Sequence, residues 1–392
     1  MLQYLFVILL ICLCIVDNMR MAKRKAMPNT YLAHLQGLLL YHMSMVLVFS
    51  YYIGMEGGDS KGYWALSGPL ADPNADSWGD YFGVGYPFIY WLNYLPSKVL
   101  NWSWWTGNII YALIAYYGFR YWSNIILYHY HSGPKFKGLP LALGLLYLPN
   151  IHFWTAGVGK EALCFWGLSA LVFALSQKSE RKYWVLAMMA LASVFMVRTY
   201  LAALIAIALI GVYALELKWL SKRYKIIFVL ALVLSGLSIP VFYWYSGIKE
   251  LPNLNPIEIS RQQIAMLSGE GIGSSVPMLE YGQAMRLITY WFRPFIWEIK
   301  GGYMVMAAAI ENSLMMVLLI FFLLKARWQS WRIIPLFHRF GLLLFLFSSL
   351  LYANSLGNWG IMMRMKAPYM LLIILFLAWM YKEKTKEASQ GI

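Results

Sequence analysis

Residues 33–54 read AHLQGLLLYHMSMVLVFSYYIG, and residues 57–68, just beyond, read GGDSKGYWALSG. The first stretch has no Asp, Glu, Lys or Arg. The second opens on glycines and brings an aspartate, a lysine and two aromatics within eight residues. A bilayer core of about 30 Å takes close to 20 helical residues to cross, and only a helix or closed barrel satisfies its own backbone there. The first stretch therefore reads as a transmembrane helix and the second as the loop by which the chain leaves the membrane.

The same pattern recurs along the 392 residues, of which 61% are hydrophobic, 17% aromatic and 12% charged. A soluble chain carries roughly 25% charged residues. Apolar runs at 2–16, 33–54, 104–128, 138–156, 160–177, 183–198, 200–217, 225–246, 303–324, 339–356 and 367–381 predict eleven spans, with ends placed to within several residues. The segment 82–98, FGVGYPFIYWLNYLPSK, is apolar but broken by Gly83, Gly85 and Pro87, and reads as a helix at or dipping into the interface. Were it to cross, the count would be twelve and everything after it would invert. The expectation is an all-α polytopic transmembrane bundle of about eleven spans (ten to twelve), a single integral membrane domain over 1–392.

Charge sets the orientation. With the N-terminus outside and the C-terminus inside, the inward loops hold 20 of the 32 basic residues and 5 of the 17 acidic ones. That is the positive-inside distribution. The formal charge of +15 is then an orientation signal, and no nucleic-acid partner is expected. RMAKRK (20–25) follows the first apolar run instead of preceding it, so the N-terminal run reads as an uncleaved anchor. Cys12, Cys14 and Cys164 all fall in spans, which implies no disulfide framework, and no histidines cluster with them to make a metal site.

Two outward loops are long, about 55–103 and 247–302, while the inward loops are short and basic; the chemistry is expected at the outer face. Asp59 stands just after the second span, and Asp72, Asp76, Asp80, Trp78 and Tyr81 follow in ADPNADSWGDYFG (71–83). Aromatic faces beside carboxylates suit a sugar-binding cleft; an interfacial aromatic belt with solvated acids gives the same composition. Cations also sit where the orientation rule disfavours them. Lys160, with Glu161 beside it, lies in PNIHFWTAGVGKEAL (149–163), and Arg198 in VRTYLAAL. Arg286, Arg293 and Glu298 lie in RLITYWFRPFIWE, and Arg364 and Lys366 in GNWGIMMRMKAP. Arginine at mid-membrane costs about 2.5–3.5 kcal/mol on insertion scales, so these exceptions point to an anionic group such as a lipid phosphate or pyrophosphate. The competing readings are a helix-start acid for Glu161 and a snorkelling ammonium for Lys160. Glu311, about 12 Å into its helix, must be paired, protonated or facing a polar cavity. Arg120 reads as a snorkelling cation, and His152 as either packed among aromatics or functional. Asn101-Trp-Ser is a lone glycosylation tripeptide.

Three patterns resemble a known family: Asp-Ser-x-x-Tyr (59–63), Pro-x-x-x-Phe-Trp-x-x-Gly-x-x-Lys-Glu (149–161) and Arg-Pro-Phe-x-Trp-Glu (293–298), with a late Gly-Asn-Trp-Gly-x-x-x-Arg-x-Lys-x-Pro (357–368). Together they resemble bacterial polysaccharide polymerases of the O-antigen or exopolysaccharide type, and more widely the GT-C-like membrane glycosyltransferases that use polyprenyl-phosphate donors. The resemblance implies a cytoplasmic-membrane enzyme, active at its outer face, whose partners are a polyprenyl-linked oligosaccharide, an acceptor glycan, membrane lipid and other polysaccharide-assembly proteins. It implies that Asp59, or Glu56 three residues before it, is the catalytic acid or base, and that Lys160, Arg198, Arg293 and Arg364 hold the donor phosphates. Tyr63, Trp64, Trp78 and Asp80 would meet the sugar. Many members pair their first-loop acids as Asp-Asp or Glu-x-Asp, and the wider spacing here leaves the base unassigned. No resident metal is expected, and a divalent cation held with the pyrophosphate is left open. A ligase, a single-sugar transferase, a lipid-linked glycan flippase and a non-catalytic membrane subunit are the alternatives.

Overall fold

The computed structural model describes residues 2–67, 71, 74–131, 133–177, 180–214, 233, 256–268, 274–299, 302–326, 331 and 333–389. Over these the chain is almost wholly helical. In order come α1 (Leu2–Arg24), α2 (Asn29–Glu56), α3 (Asp59–Ala65), α4 (Tyr86–Asn93) with a π-helical turn Tyr94–Val99, and α5 (Trp104–His129). A two-residue hairpin, β1 (Lys135–Phe136) with β2 (Leu139–Pro140), and a 3-10 segment Leu141–Tyr147 lead to α6 (Pro149–Thr155) and α7 (Lys160–Ser176). Then follow α8 (Arg181–Val197), α9 (Thr199–Ala214), α10 (Pro256–Leu267), α11 (Gln283–Phe292), α12 (Tyr303–Lys325), α13 (Leu336–Ala353) and α14 (Trp359–Ser389).

Five of these helices are long and apolar enough to cross a bilayer: α1, α2, α12, α13 and α14 up to Tyr381; α6 and α7, bent by 117° at a short break, make a sixth if they count as one broken span. The chain is a multi-pass membrane protein. Along α12 the side chains of Tyr303, Met306, Ile310, Leu314, Val317 and Leu324 are exposed and largely apolar, as suits a helix in contact with lipid.

Several predicted spans take another form. The run 138–156 is no continuous helix: it is β2, the 3-10 segment and α6, and with 160–177 it forms the bent pair. The break falls on Ala156–Gly159, where Val158 N–H donates to the Asn108 side chain (2.9 Å). A Cβ on Gly157 would lie 2.0 Å from the Phe49 ring, so only glycine lets the turn approach α2 so closely. The run 104–128 is helical as α5, with Thr106, Asn108, Ser123 and Asn124 buried along it, and it packs against α2 and α7. The run 82–98 is the short α4 and its π turn, too short to cross a bilayer as one helix. The predicted span 225–246 lies outside the described residues apart from Val233, as does part of the loop 247–302. Arg120 does not snorkel: it pairs with Asp17 of α1 and lies over the Tyr117 ring.

The chain divides into two compact units over its described residues. Of these, the first holds those within 2–148 and 152–203 together with Val233, and the second those within 149–151, 204–214 and 256–389. In the first, α5 and α7 form the centre, with Tyr31, Leu35, Tyr116, Phe119, Ile125 and Phe165 among the fully buried side chains. His152 belongs to that interior, stacked on Phe119 at 3.9 Å and bonded to His42 at 2.9 Å. In the second, α13 and α14 pack together, with Phe340, Leu344 and Phe376 between them.

Candidate functional site

The first unit gathers five of the predicted residues around one loop. Gly57 (φ 82°) and Gly58 (φ 140°) end α2 and turn the chain into α3; both backbone conformations are ones that L residues rarely adopt. Glu56 is therefore the exposed last residue of α2 while Asp59 opens α3, so the two carboxylates stand on opposite sides of a helix break. One turn on from Asp59, Tyr63 faces Lys160, whose ammonium lies 5.9 Å from the Tyr63 ring and 5.8 Å from Tyr86. Lys160 opens α7 directly after the Gly157–Gly159 turn. Its neighbour Glu161 pairs with Arg198, the C-cap of α8; their side chains are 13% and 9% exposed. Gly85 N–H donates to the Met196 carbonyl at 2.7 Å, which brings the start of α4, and hence Tyr86, to the end of α8 beside Arg198.

Asp59 also interacts electrostatically with the Tyr90 hydroxyl. That phenol is pushed above its ordinary range, chiefly by burial, with Tyr86, Asp59 and Tyr81 adding to the effect. Acid, aromatic rings, ammonium and an ion-paired guanidinium are thus assembled in one unit from α3, α4, α7 and α8. The turn is held from beneath by Asn108, which accepts from Val158 N–H and donates to Ser50 (2.8 Å).

Other first-loop residues do different work. Trp64 is 5% exposed, its ring packs where Gly107 leaves room, and its Nε1–H donates to the Trp102 carbonyl; it is a core residue with no face left for a sugar. Asp80 caps a turn, accepting from the N–H groups of Ser77 (2.7 Å) and Asp76 (3.2 Å). The Ser77 N–H is the main cause that holds its carboxyl below the ordinary range. Trp78 is half exposed and stacks on Trp91. Asp72 lies outside the described residues.

The remaining predicted residues belong to the second unit. Arg293 follows α11 and makes a two-armed pair with Glu298, with Nε to Oε2 at 3.0 Å; its third arm donates to the Tyr281 hydroxyl at 2.9 Å and its plane lies 5.4 Å from the Trp359 ring. Glu298 in turn accepts from Phe295 N–H (2.9 Å), so RPFIWE is a self-closed turn. Arg286 donates to the Tyr281 carbonyl and the Asn354 side chain. Lys366 is buried and donates to the Arg293 carbonyl at 3.0 Å. Glu311 is buried in α12, accepts from Asn150 N–H at 2.7 Å and interacts electrostatically with Lys366. Arg364 lies on the first turns of α14, half-buried.

The four residues expected to hold phosphate therefore divide, Lys160 and Arg198 in one unit and Arg293 and Arg364 in the other. Tyr86, Tyr90 and Asn108 complete the first cluster and were absent from the sequence reading. Gly85 just before Tyr86, and the Gly-Val-Gly preceding Lys160, were the signals that marked those turns. Among the described residues no group of three or more His, Cys, Asp and Glu side chains is placed to hold a metal ion. The chain matches no protein-family model, and no curated protein or solved structure is significantly similar to it.

Proposed function

We propose that the chain is a membrane glycosyltransferase of the polysaccharide-polymerase type, moving glycan from a polyprenyl-(pyro)phosphate donor at the outer face of the bacterial cytoplasmic membrane. The proposal includes an orientation with the N-terminus outside, resting on the basic residues of the inward loops. The observation that carries it is the gathering of Asp59, Tyr63, Tyr86, Lys160 and the Arg198–Glu161 pair in one unit. Glycosyl transfer passes through an oxocarbenium-like state while negative charge grows on the leaving pyrophosphate. Lys160 and Arg198 are cations that can stabilise that charge, and a carboxylate just beyond the span can take the acceptor's proton. Asp59 is assigned that role in preference to Glu56, because Asp59 shares α3 with Tyr63. Arg198 would exchange part of its contact with Glu161 for phosphate. Arg293, held by Glu298 and Tyr281, is assigned to positioning the 293–298 turn.

A second reading, movement of a lipid-linked glycan across the bilayer, is favoured by one observation: Glu311 and Lys366 are buried ionisable groups within helices of membrane-spanning length. A surface-glycan gel from a strain lacking this chain separates the two. Collapse of a repeat ladder to a single-repeat band is the expected result. Loss of all glycan would favour flipping or ligation, one missing sugar a single-sugar transferase, and an unchanged ladder would refute glycosyl transfer.

A further inference from the structure

The first outward loop carries a flat, rigid aromatic face. Trp78 is 52% exposed, and its indole lies parallel to Trp91, 4.8 Å between centroids and 10° between planes. Phe88 stacks on Trp91 at 5.7 Å and 18°, and Phe82 meets it edge-on at 5.4 Å. The loop beneath has its own small core of Leu66, Ala75, Tyr81 and Tyr90. Tyr81 and Tyr94 donate to the Ala75 and Asp76 carbonyls, and the Asp80 carboxylate caps the turn that carries Trp78.

Two features argue against this face being an ordinary membrane-interface anchor. Interfacial tryptophans keep a wet N–H among the headgroups, whereas the Trp78 Nε1–H is turned inward to the Trp91 carbonyl at 3.0 Å. The exposed groups of the same turn are carboxylates, Asp76 and Asp80, which repel anionic headgroups; the nearby cation, Lys98, is turned onto the Tyr81 and Tyr94 rings. An indole with no donor to offer presents only its electron-rich face, which attracts the polarised C–H groups of a pyranose ring, while carboxylates alongside accept from its hydroxyls. Trp91 shares α4 with Tyr86, one wall of the Lys160 cluster; five residues on, it stands about 7.5 Å along the axis and on another side of the helix.

We propose that the Trp78 face, stacked on Trp91 and rimmed by Asp76 and Asp80, is a subsite for an uncharged sugar ring of the acceptor glycan, one that excludes uronic and other acidic sugars. The inference rests on the glycosyltransfer reading for the identity of its ligand. The test is saturation-transfer NMR on the full chain in nanodiscs, with malto-, cello- and chito-oligosaccharides as uncharged probes and oligogalacturonate as the acidic one. At least one uncharged probe is expected to bind and the acidic one not. Trp78→Ala should weaken binding by about tenfold, a loss in the range of truncating a well-packed aromatic contact, and Trp78→Tyr should restore most of it. Binding that survives Trp78→Ala, preference for oligogalacturonate, or no signal from any probe would overturn the subsite. Binding needs no turnover, so the two proposals fail separately: an unchanged glycan ladder with intact Trp78-dependent binding sinks the enzyme reading alone.

Discussion

The Arg198–Glu161 pair lets a structural role be separated from a phosphate-binding one. Both side chains are at least 87% buried by the exposure of their own atoms, so solvent screens them little. Removing one partner of a buried pair leaves the other charge poorly compensated and typically costs about 3–5 kcal/mol, whereas replacing both by apolar groups of similar volume is often neutral. Arg198→Ala is therefore expected to lower stability by about 3–5 kcal/mol, and Arg198→Met with Glu161→Leu to recover most of that loss. Thermal unfolding of purified protein in detergent measures both, and glycan ladders from strains carrying each variant measure activity. The expected outcome is a double variant that is stable and makes no polymer. A stable double variant with a full ladder would refute phosphate binding by Arg198. A single Arg198→Ala variant as stable as wild type would refute the energetic weight given to the pair.

Other outcomes follow from single contacts. Gly157→Ala pushes a Cβ to 2.0 Å from the Phe49 ring, and overpacking of this kind costs about 1–3 kcal/mol; a lower melting midpoint, partly restored by adding Phe49→Leu, is expected. Arg293→Lys cannot reproduce the two-armed bond to Glu298 together with the bond to Tyr281, so a loss of about 1.5–3 kcal/mol should appear in the same assay. Asp80 has a folded carboxyl value below its ordinary 3.8. The stability it lends the loop is therefore fully present above that value and is lost as pH falls through the lower, folded one. Limited proteolysis between 71 and 85 should be flat above pH about 4, rise below it, and lose that step in Asp80→Asn.

What the sequence made legible was the solvent each segment faces. Where an uninterrupted apolar run meets lipid, as at 33–54 and 303–324, hydropathy alone suffices, and the helices α2 and α12 stand there. Hydropathy cannot tell lipid from protein interior, and that is why 138–156 read as a crossing although it folds into a 3-10 turn and a short helix ending at a glycine break. The Asp17–Arg120 pair was hidden for a different reason: its members are 103 residues apart, and no local pattern marks one as the other's partner. Of the candidate site, the identities of Asp59, Lys160, Glu161 and Arg198 were legible because charge beside an apolar run is rare. Their assembly was not, since it depends on the Gly85–Met196 bond and on Asn108, both long-range. Trp64 and Trp78 look alike in sequence, and only the space left by Gly107 makes one of them core.

The polar interior of α5 bears on how the chain is made. A helix carrying Thr106, Asn108, Ser123, Asn124 and Arg120 is a poor candidate for lateral partitioning into lipid on its own, because each such side chain raises the insertion free energy. Asn108 is satisfied by Ser50 of α2, made before it, and by Val158, made after it, and Arg120 by Asp17 of α1. During synthesis α5 must therefore wait at the translocon, or enter the bilayer already docked on the first two helices. The segment up to α7 then becomes a unit of biogenesis: truncations ending between 130 and 157 would release α5 without Val158 and α7 to close over it, and would expose it to quality-control proteolysis.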